Sequence, residues 1–380
     1  MELVFGIIVG ALILTILVVL HELGHAIVAR RNGVVVEEFG IGFPPKAWGK
    51  KLKNGILFTV NWLPLGGFVK LQGEHDSATG KGDYGAASFW VKTKILLAGV
   101  VINWLTAVIL LAILAVTGLP KVIPNQFSIA SDTTTVTQPV TLRTVSADSP
   151  AEKAGLQKND VIVRFAGKEV PTAASLISSA AESKGQKVEV IYDRDGREQR
   201  TEVTLRDDSK NGYLGVGTAQ ESYTKATWSA PVVGVVLTGQ LTAETFKGLG
   251  GLVANFGGGL LSQLSGDDKT REAGGKELEE AGDSVSGPIG ILGVLFPAAQ
   301  QAGLSYLVLI SAIISLTLAV MNVLPIPALD GGRWFTMAIF RLLKRELTED
   351  REEKIQAAGF LTLMAIIIAV TFLDVTKLFK

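Results

Sequence analysis

Four long uncharged, mostly apolar runs set the pattern of this chain: residues 3–20, 95–119, 284–329 and 355–373. A helix rises 1.5 Å per residue and needs about 20 apolar residues to cross roughly 30 Å of hydrocarbon, so each run is long enough to span a bilayer. The first run ends at His21, and its apolar pattern resumes over residues 26–29. In the third, Pro288 and Pro297 bracket a piece too short to span, so the crossing helix is expected at about residues 303–324. The first run lacks a basic start and a small-x-small cleavage site, which argues for a retained helix and against a removed signal peptide.

Four crossings return both termini to one side. Orientation follows lysine and arginine in short flanking loops. Residues 30–94 carry ten of them and residues 331–354 carry six, so both loops are expected at the cytoplasmic face. The termini and the long segment between the second and third crossings are then extracytoplasmic. In order, the chain divides into a first membrane helix (1–30), a cytoplasmic-side β region (31–94), a second membrane helix (95–119) and a soluble domain (140–218). Amphipathic helices and a linker (222–285), a third membrane region (286–330), a cytoplasmic loop (331–354) and a fourth membrane helix (355–375) complete it.

The composition agrees. Of 380 residues, 48% are hydrophobic and only 19% charged, against about 25% in an average soluble chain. Lysine plus arginine and aspartate plus glutamate number 36 each, so no overall charge points to nucleic acid. The chain has no cysteine, which excludes a disulfide framework, a thiol nucleophile and any metal site built on thiolates. Histidine chemistry is confined to His21, His25 and His75.

The soluble segment reads as a small mixed domain. Strands are expected at 140–145 and 160–165, a capped helix from Ser149 to a stop at Gly155, and a helix at 172–183. A hairpin over 187–194 and 198–205 turns at Asp195-Gly196. This order, with Ser149-Pro-Ala-x-x-Ala-Gly155-Leu156 and Asn159-Asp160-Val-Ile162, resembles a PDZ domain of the permuted bacterial kind. The resemblance implies peptide capture by strand addition, with residues 212–217 as a strand of the groove. Beyond it, residues 222–264 alternate apolar and small residues and suggest amphipathic helices on the outer membrane surface. Residues 265–283 are rich in charge and glycine and suggest a mobile linker.

The first apolar run ends in His21-Glu22-Leu-Gly-His25, an HExxH pattern. On a helix the two imidazoles share a face and can bind one zinc ion, with Glu22 in reach of its water. Ionisable groups beside so apolar a run are costly and usually functional. Catalytic zinc generally takes three protein ligands, and His75 or Asp330 could be the third. Asp330 is favoured. It closes Asn322-Val-Leu-Pro325-Ile-Pro327-Ala-Leu-Asp330-Gly-Gly, where two prolines break the helix, and broken backbone at membrane depth is tolerated only inside protein or against water. His75 lies in a charged run and reads as a surface residue.

An intramembrane HExxH paired with a distant NxxPxPxLDGG resembles the site-2 proteases over nearly the whole chain. Ser286-Gly-Pro288-Ile, Gly40-Ile-Gly-Phe43 and Leu65-Gly66-Gly67-Phe-Val-Lys70 are similar to the bacterial branch that cleaves anti-sigma factors and signal-peptide remnants. The resemblance implies a polytopic α-helical membrane protein of four transmembrane helices, with an inserted extracytoplasmic PDZ (α+β) domain and a small membrane-associated β-sheet. It implies Zn2+ held by His21, His25 and Asp330, Glu22 as catalytic base, and Asn322, Pro325, Pro327, Gly66 and Gly67 at the substrate. The implied partners are single-pass membrane proteins trimmed beforehand by another protease, and lipid. The implied place is a bacterial cell membrane, with the active site toward the cytoplasm. Two features depart from that branch: Gly99-Val-Val-Ile-Asn103 has valine where many members have proline, and one PDZ domain is evident where the best-known members have two. The contrasting reading is an inactive membrane PDZ adaptor or chaperone. It expects loss of the motif glutamate or a ligand, and all four positions are intact.

Overall fold

The computed structural model describes residues 2–208, 212–263, 267–283 and 285–378. Contacts divide the chain into two compact units. The first comprises residues 1–117, 125–129 and 227–380, and the second residues 118–124 and 130–226.

The first unit opens with α1 (Glu2–Arg31), which carries the HExxH pattern. Next come strands β1 (Val36–Lys51) and β2 (Leu57–Leu71). Both fold back on themselves. Glu38, Phe39, Gly40 and Ile41 have partners on two sides, residues 57–60 and residues 67–70. Segment 67–71 pairs only with β1, so its far edge is free of strands among the described residues. Gly42 (φ 77°) and Gly66 (φ 93°) take left-handed backbone where the chain bends, which only glycine adopts without strain. Phe43, Trp48, Trp62 and Leu63 are exposed on this hairpin.

α2 (Phe89–Thr117) follows and is the hub of the unit, packing on α1 and on three later helices. Small residues permit close approach between apolar helices. A Cβ on Gly24 would lie 2.7 Å from the Ala98 carbonyl oxygen, and one on Gly99 would lie 2.5 Å from His25 Nε2.

The second unit holds β3 (Leu119–Pro120), β4 (Thr134–Thr137), β5 (Val140–Val145), α3 (Pro150–Lys153), β6 (Val161–Phe165), β7 (Lys168–Glu169), α4 (Ala173–Glu182), β8 (Lys187–Arg194), β9 (Arg197–Thr204), β10 (Val216–Ala219) and β11 (Ser222–Lys225). One sheet runs β10-β5-β6-β8-β9 with β7 beside β6; a second runs β3-β11-β4. Both helices have side-chain caps, Ser149 Oγ accepting from Glu152 N at 3.1 Å and a Thr172–Ser175 capping box. Their apolar faces close over Val140, Leu142, Ile162, Phe165, Val190 and Val203. The buried carboxylate of Asp160 takes a bidentate grip from Arg194, Nε and Nη2 both at 2.7 Å. The strands and helices expected over 140–205 are present. The strand expected at 212–217 begins only at Val216, because Gly212 (φ 73°) and Gly215 (φ 76°) hold the chain in turns.

Returning to the first unit, α5 (Ala230–Gln263) corrects the expectation of surface-lying amphipathic helices. It is one helix docked on α2, with Gly234 against the Val108 carbonyl and Leu237 and Thr238 fully buried. α6 (Asp268–Asp283) corrects the expected linker. Lysine, glutamate and alanine favour helix, and Gly274 sits where a Cβ would collide with Ser262 of α5. Residues 265 and 266 of that expected linker lie outside the described residues.

The broken third region follows as anticipated. α7 (Pro288–Gly290) passes through a π turn (Ile291–Leu295) into α8 (Phe296–Ala302), and α8 docks where Gly6 and Gly10 of α1 leave room for Pro297 and Phe296. Asp374, from the last helix, caps this piece by accepting from Gly290 N at 2.7 Å and Gly287 N at 3.1 Å. α9 (Leu304–Val323), α10 (Asp330–Leu342) and α11 (Glu349–Leu378) complete the chain. Among the described residues four helices, α1, α2, α9 and α11, are long and apolar enough to cross a membrane.

Candidate metal centre

α1 sets His21 and His25 one turn apart, both buried. Their Nε2 atoms face each other at 3.1 Å. Asp330 reaches them from the first turn of α10. Its Oδ2 lies 3.1 Å from His21 Nε2 and 3.3 Å from His25 Nε2. What brings it there is the loop after α9. Pro325 and Pro327 cannot continue a helix, Ala328 takes φ 76° with its amide donating to Gln356 Oε1 at 2.6 Å, and Gly359 makes room for Pro327. Gly331 and Gly332 then let α10 start directly against the carbonyls of Val323 and Ile326, where any side chain would collide.

This donor set fits zinc. A tetrahedral ion with bonds of about 2.0–2.1 Å holds its ligand atoms roughly 3.3–3.4 Å apart, and the three observed separations are 3.1, 3.1 and 3.3 Å. Asp330 Oδ2 is buried with no hydrogen-bond donor aligned on it, as expected of an atom reserved for an ion. The other ring nitrogens are also engaged: His25 Nδ1 lies 2.7 Å from the Ile95 carbonyl and His21 Nδ1 lies 3.3 Å from the Asn103 amide. Bonds of this kind fix the orientation of a metal-binding imidazole.

Glu22 sits between the histidines in sequence and within electrostatic range of both and of Asp330, with the Val69 backbone amide nearby. β2 passes beside Glu22 at Gly67, where a Cβ would lie 3.6 Å from Glu22 Cγ, an ordinary contact distance, and 3.1 Å from the Gly40 carbonyl of β1. Of the remaining expected site residues, Gly66 packs under the Phe43 ring. Asn322 donates to the Leu318 carbonyl of its own helix at 3.0 Å, and Pro325 is exposed. His75 lies apart, paired with Glu349 at 3.2 Å and with Glu353 at 4.0 Å. Half-buried His75 and these two exposed glutamates form a second group that could hold a cation.

One supporting cluster was not visible in the sequence. Arg333, one turn beyond Asp330, pairs with buried Glu352 at 3.0 Å and with Glu74 at 3.3 Å, and its guanidinium lies 4.7 Å from the centre of the buried Tyr84 ring. Burial alone would lower the Arg333 pKa, but Tyr84, Glu352 and Glu74 raise it, so the charge is kept. Glu352 also accepts from Asp76 N at 2.8 Å. The helix that carries Asp330 is thereby tied to the loop after β2 and to α11.

The profile of peptidase family M50 matches residues 9–366. The chain belongs to peptidase family M50. A zinc metalloprotease homologue from Clostridium acetobutylicum is 28% identical over 373 residues, covering 98% of this chain and 97% of that one. The zinc metalloprotease RasP of Geobacillus kaustophilus is 25% identical over 443 residues, and the regulator of sigma-W protease RasP of Bacillus subtilis 25% over 449, each covering 96% of both chains. A PDZ domain of an SdrC-like protein from Listeria monocytogenes covers 24% of this chain and 94% of its own, at 20% identity and a TM-score of 0.20. This M50 chain is a zinc metalloprotease of the site-2 type, with four helices suited to a membrane.

Proposed function

We propose that His21, His25 and Asp330 hold the catalytic zinc and that this M50 protease cuts single-pass membrane proteins within the membrane, after another protease has trimmed them. An anti-sigma factor or a signal-peptide remnant is the expected kind of substrate. The reading rests on one observation: three donor atoms at zinc spacing, 3.1–3.3 Å apart, on two helices about 300 residues apart in sequence. Bound zinc lowers the pKa of a coordinated water to about 7 and polarises a carbonyl.

The chain's own residues supply the rest. A membrane helix hides its peptide bonds in its own hydrogen bonds, so a substrate must be unwound before it is cut. Segment 67–71 offers a free strand edge to an unwound segment. Segment 67–71 passes Glu22 at Gly67, where a Cβ would lie 3.6 Å from Glu22 Cγ, so a strand added there runs near the catalytic carboxylate. Gly66 and Gly67 keep the approach clear of side chains. Glu22 takes a proton from the attacking water and returns it to the leaving amine. Asn322 is assigned to the substrate carbonyl, its amide swinging from Leu318. Pro325 and Pro327 keep the facing loop extended. Basic loops at 30–94 and 331–354 orient the metal end of α1 toward the cytoplasm and the 140–218 domain, read as a PDZ domain, away from it.

The test is Glu22→Gln in proteoliposomes with a short-tailed single-pass substrate. An amide cannot accept the proton, so cleavage should fall about 10²–10⁴-fold, while bound zinc stays at the wild-type level. Wild-type turnover by the variant would end the proposed mechanism. An inactive adaptor is the outcome if the wild-type protein, loaded with zinc, cuts nothing.

A further inference from the structure

Asn103 is fully buried in α2 and has an unsatisfied atom. Its Oδ1 has no hydrogen-bond partner, while its Nδ2 lies 3.3 Å from His21 Nδ1. Which end of a carboxamide is oxygen is an assignment settled by its partners. Two arrangements are self-consistent. In one, the amide nitrogen donates to a bare Nδ1, and the imidazole proton sits on Nε2. That proton then points at Asp330 and His25, and the ring cannot ligate. In the other, the amide is turned over and its oxygen accepts from Nδ1–H, which leaves Nε2 bare toward Asp330. The second arrangement gives the stranded Oδ1 a donor.

We infer that Asn103 is a positioning residue that sets the tautomer of His21 through its side-chain carbonyl, and that α2 is a template for both imidazoles. The inference rests on the reading of His21 as a zinc ligand. His25 is served by the Ile95 backbone carbonyl at 2.7 Å, which cannot turn over. Residues 95, 99 and 103 are successive positions on one strip of a helix. An acceptor stands at each end, and Gly99 stands between them where a Cβ would lie 2.5 Å from His25 Nε2 and 2.6 Å from His21 Cε1. The Gly-x-x-x-Asn spacing thereby acquires a chemical reason. Val100 lies off the strip, so the valine found there does not disturb it.

The test measures zinc affinity of the full chain in nanodiscs, by competition with a chelating indicator. Losing an outer-shell partner typically weakens a metal site 10–100-fold, and Asn103→Leu should do so. Asn103→Asp keeps an acceptor for Nδ1–H and should restore affinity to within a few-fold of wild type. Ser315→Ala removes the 2.9 Å bond from Ser315 Oγ to the Asn103 backbone without touching the ring, and should bind zinc as wild type does. The chain has only three histidines, so 15N-histidine spectra of the zinc-loaded protein resolve the tautomer directly. Two metal-bound rings protonated at Nδ1 are expected. Asn103→Leu binding zinc as wild type, Ser315→Ala weakening it as much as Asn103→Leu, or a His21 ring protonated at Nε2 would each overturn the proposal. If Asn103→Leu does not fold, the wild-type spectrum still decides. Asp330→Asn run alongside separates the two readings: if it keeps zinc, the ligand assignment itself fails.

Discussion

A carboxylate oxygen with no aligned donor, facing two imidazole nitrogens, is costly unless a cation sits among them. Asp330→Asn should therefore lose zinc as well as activity, measured as metal per purified chain. His75→Ala should leave the catalytic zinc and turnover near wild type, since its ring is turned to Glu349 and Glu353. Loss of the catalytic metal in the histidine variant alone would invert the assignment. These residues were legible because their chemistry is concentrated in two short motifs, and an ionisable group beside an apolar run stands out. Asn103 was legible only as half of a spacing. Its role needed the depth at which α2 lies against α1, which Gly24 and Gly99 determine and no periodicity reports. The Val69 amide, being backbone, carries no mark in the sequence at all.

At the level of elements, α10 must be held so that its first residue stays on the histidines. Arg333 does part of this from one turn away, through partners at positions 74 and 352. Such a cluster is invisible to pattern reading, because its members are ordinary charged residues far apart in sequence. Glu352→Ala should leave the buried guanidinium short of a partner and the Asp76 amide unbonded. The cost should be on the order of 3 kcal/mol, seen as a lower thermal midpoint in detergent, together with weaker zinc binding. A variant with unchanged midpoint and zinc affinity would show that the cluster holds nothing. The apolar helices and the strands at 140–205 were readable from period and caps. α5 and α6 were misread. Glycine is so frequent in α5 that its sequence looks loose, and it forms because those small residues let it dock on α2 and let α6 dock on it.

Across the whole molecule, the three donors of the metal cluster all belong to the first unit. Deleting residues 141–217 behind a short linker should preserve cleavage of a short-tailed substrate and increase cleavage of an untrimmed one. A folded, zinc-loaded deletion that no longer cuts the short-tailed substrate would make the second unit a required receptor. The cysteine-free background makes sidedness directly measurable. With an impermeant thiol reagent on intact cells, Ser178→Cys should label and Lys51→Cys should not, and the opposite pattern would reverse the orientation. The ligand set also has a meaning in time. His25 leaves the ribosome early, and Asp330 follows about 300 residues later, roughly 15–60 s at ordinary rates of synthesis. On the proposed assignment, the nascent chain would through that interval carry the general base and two ligands but lack the third. A growing or prematurely terminated copy is thus a blank among its membrane neighbours. On that assignment cutting power arrives last, with the helix that brings Asp330 back to the beginning of the chain.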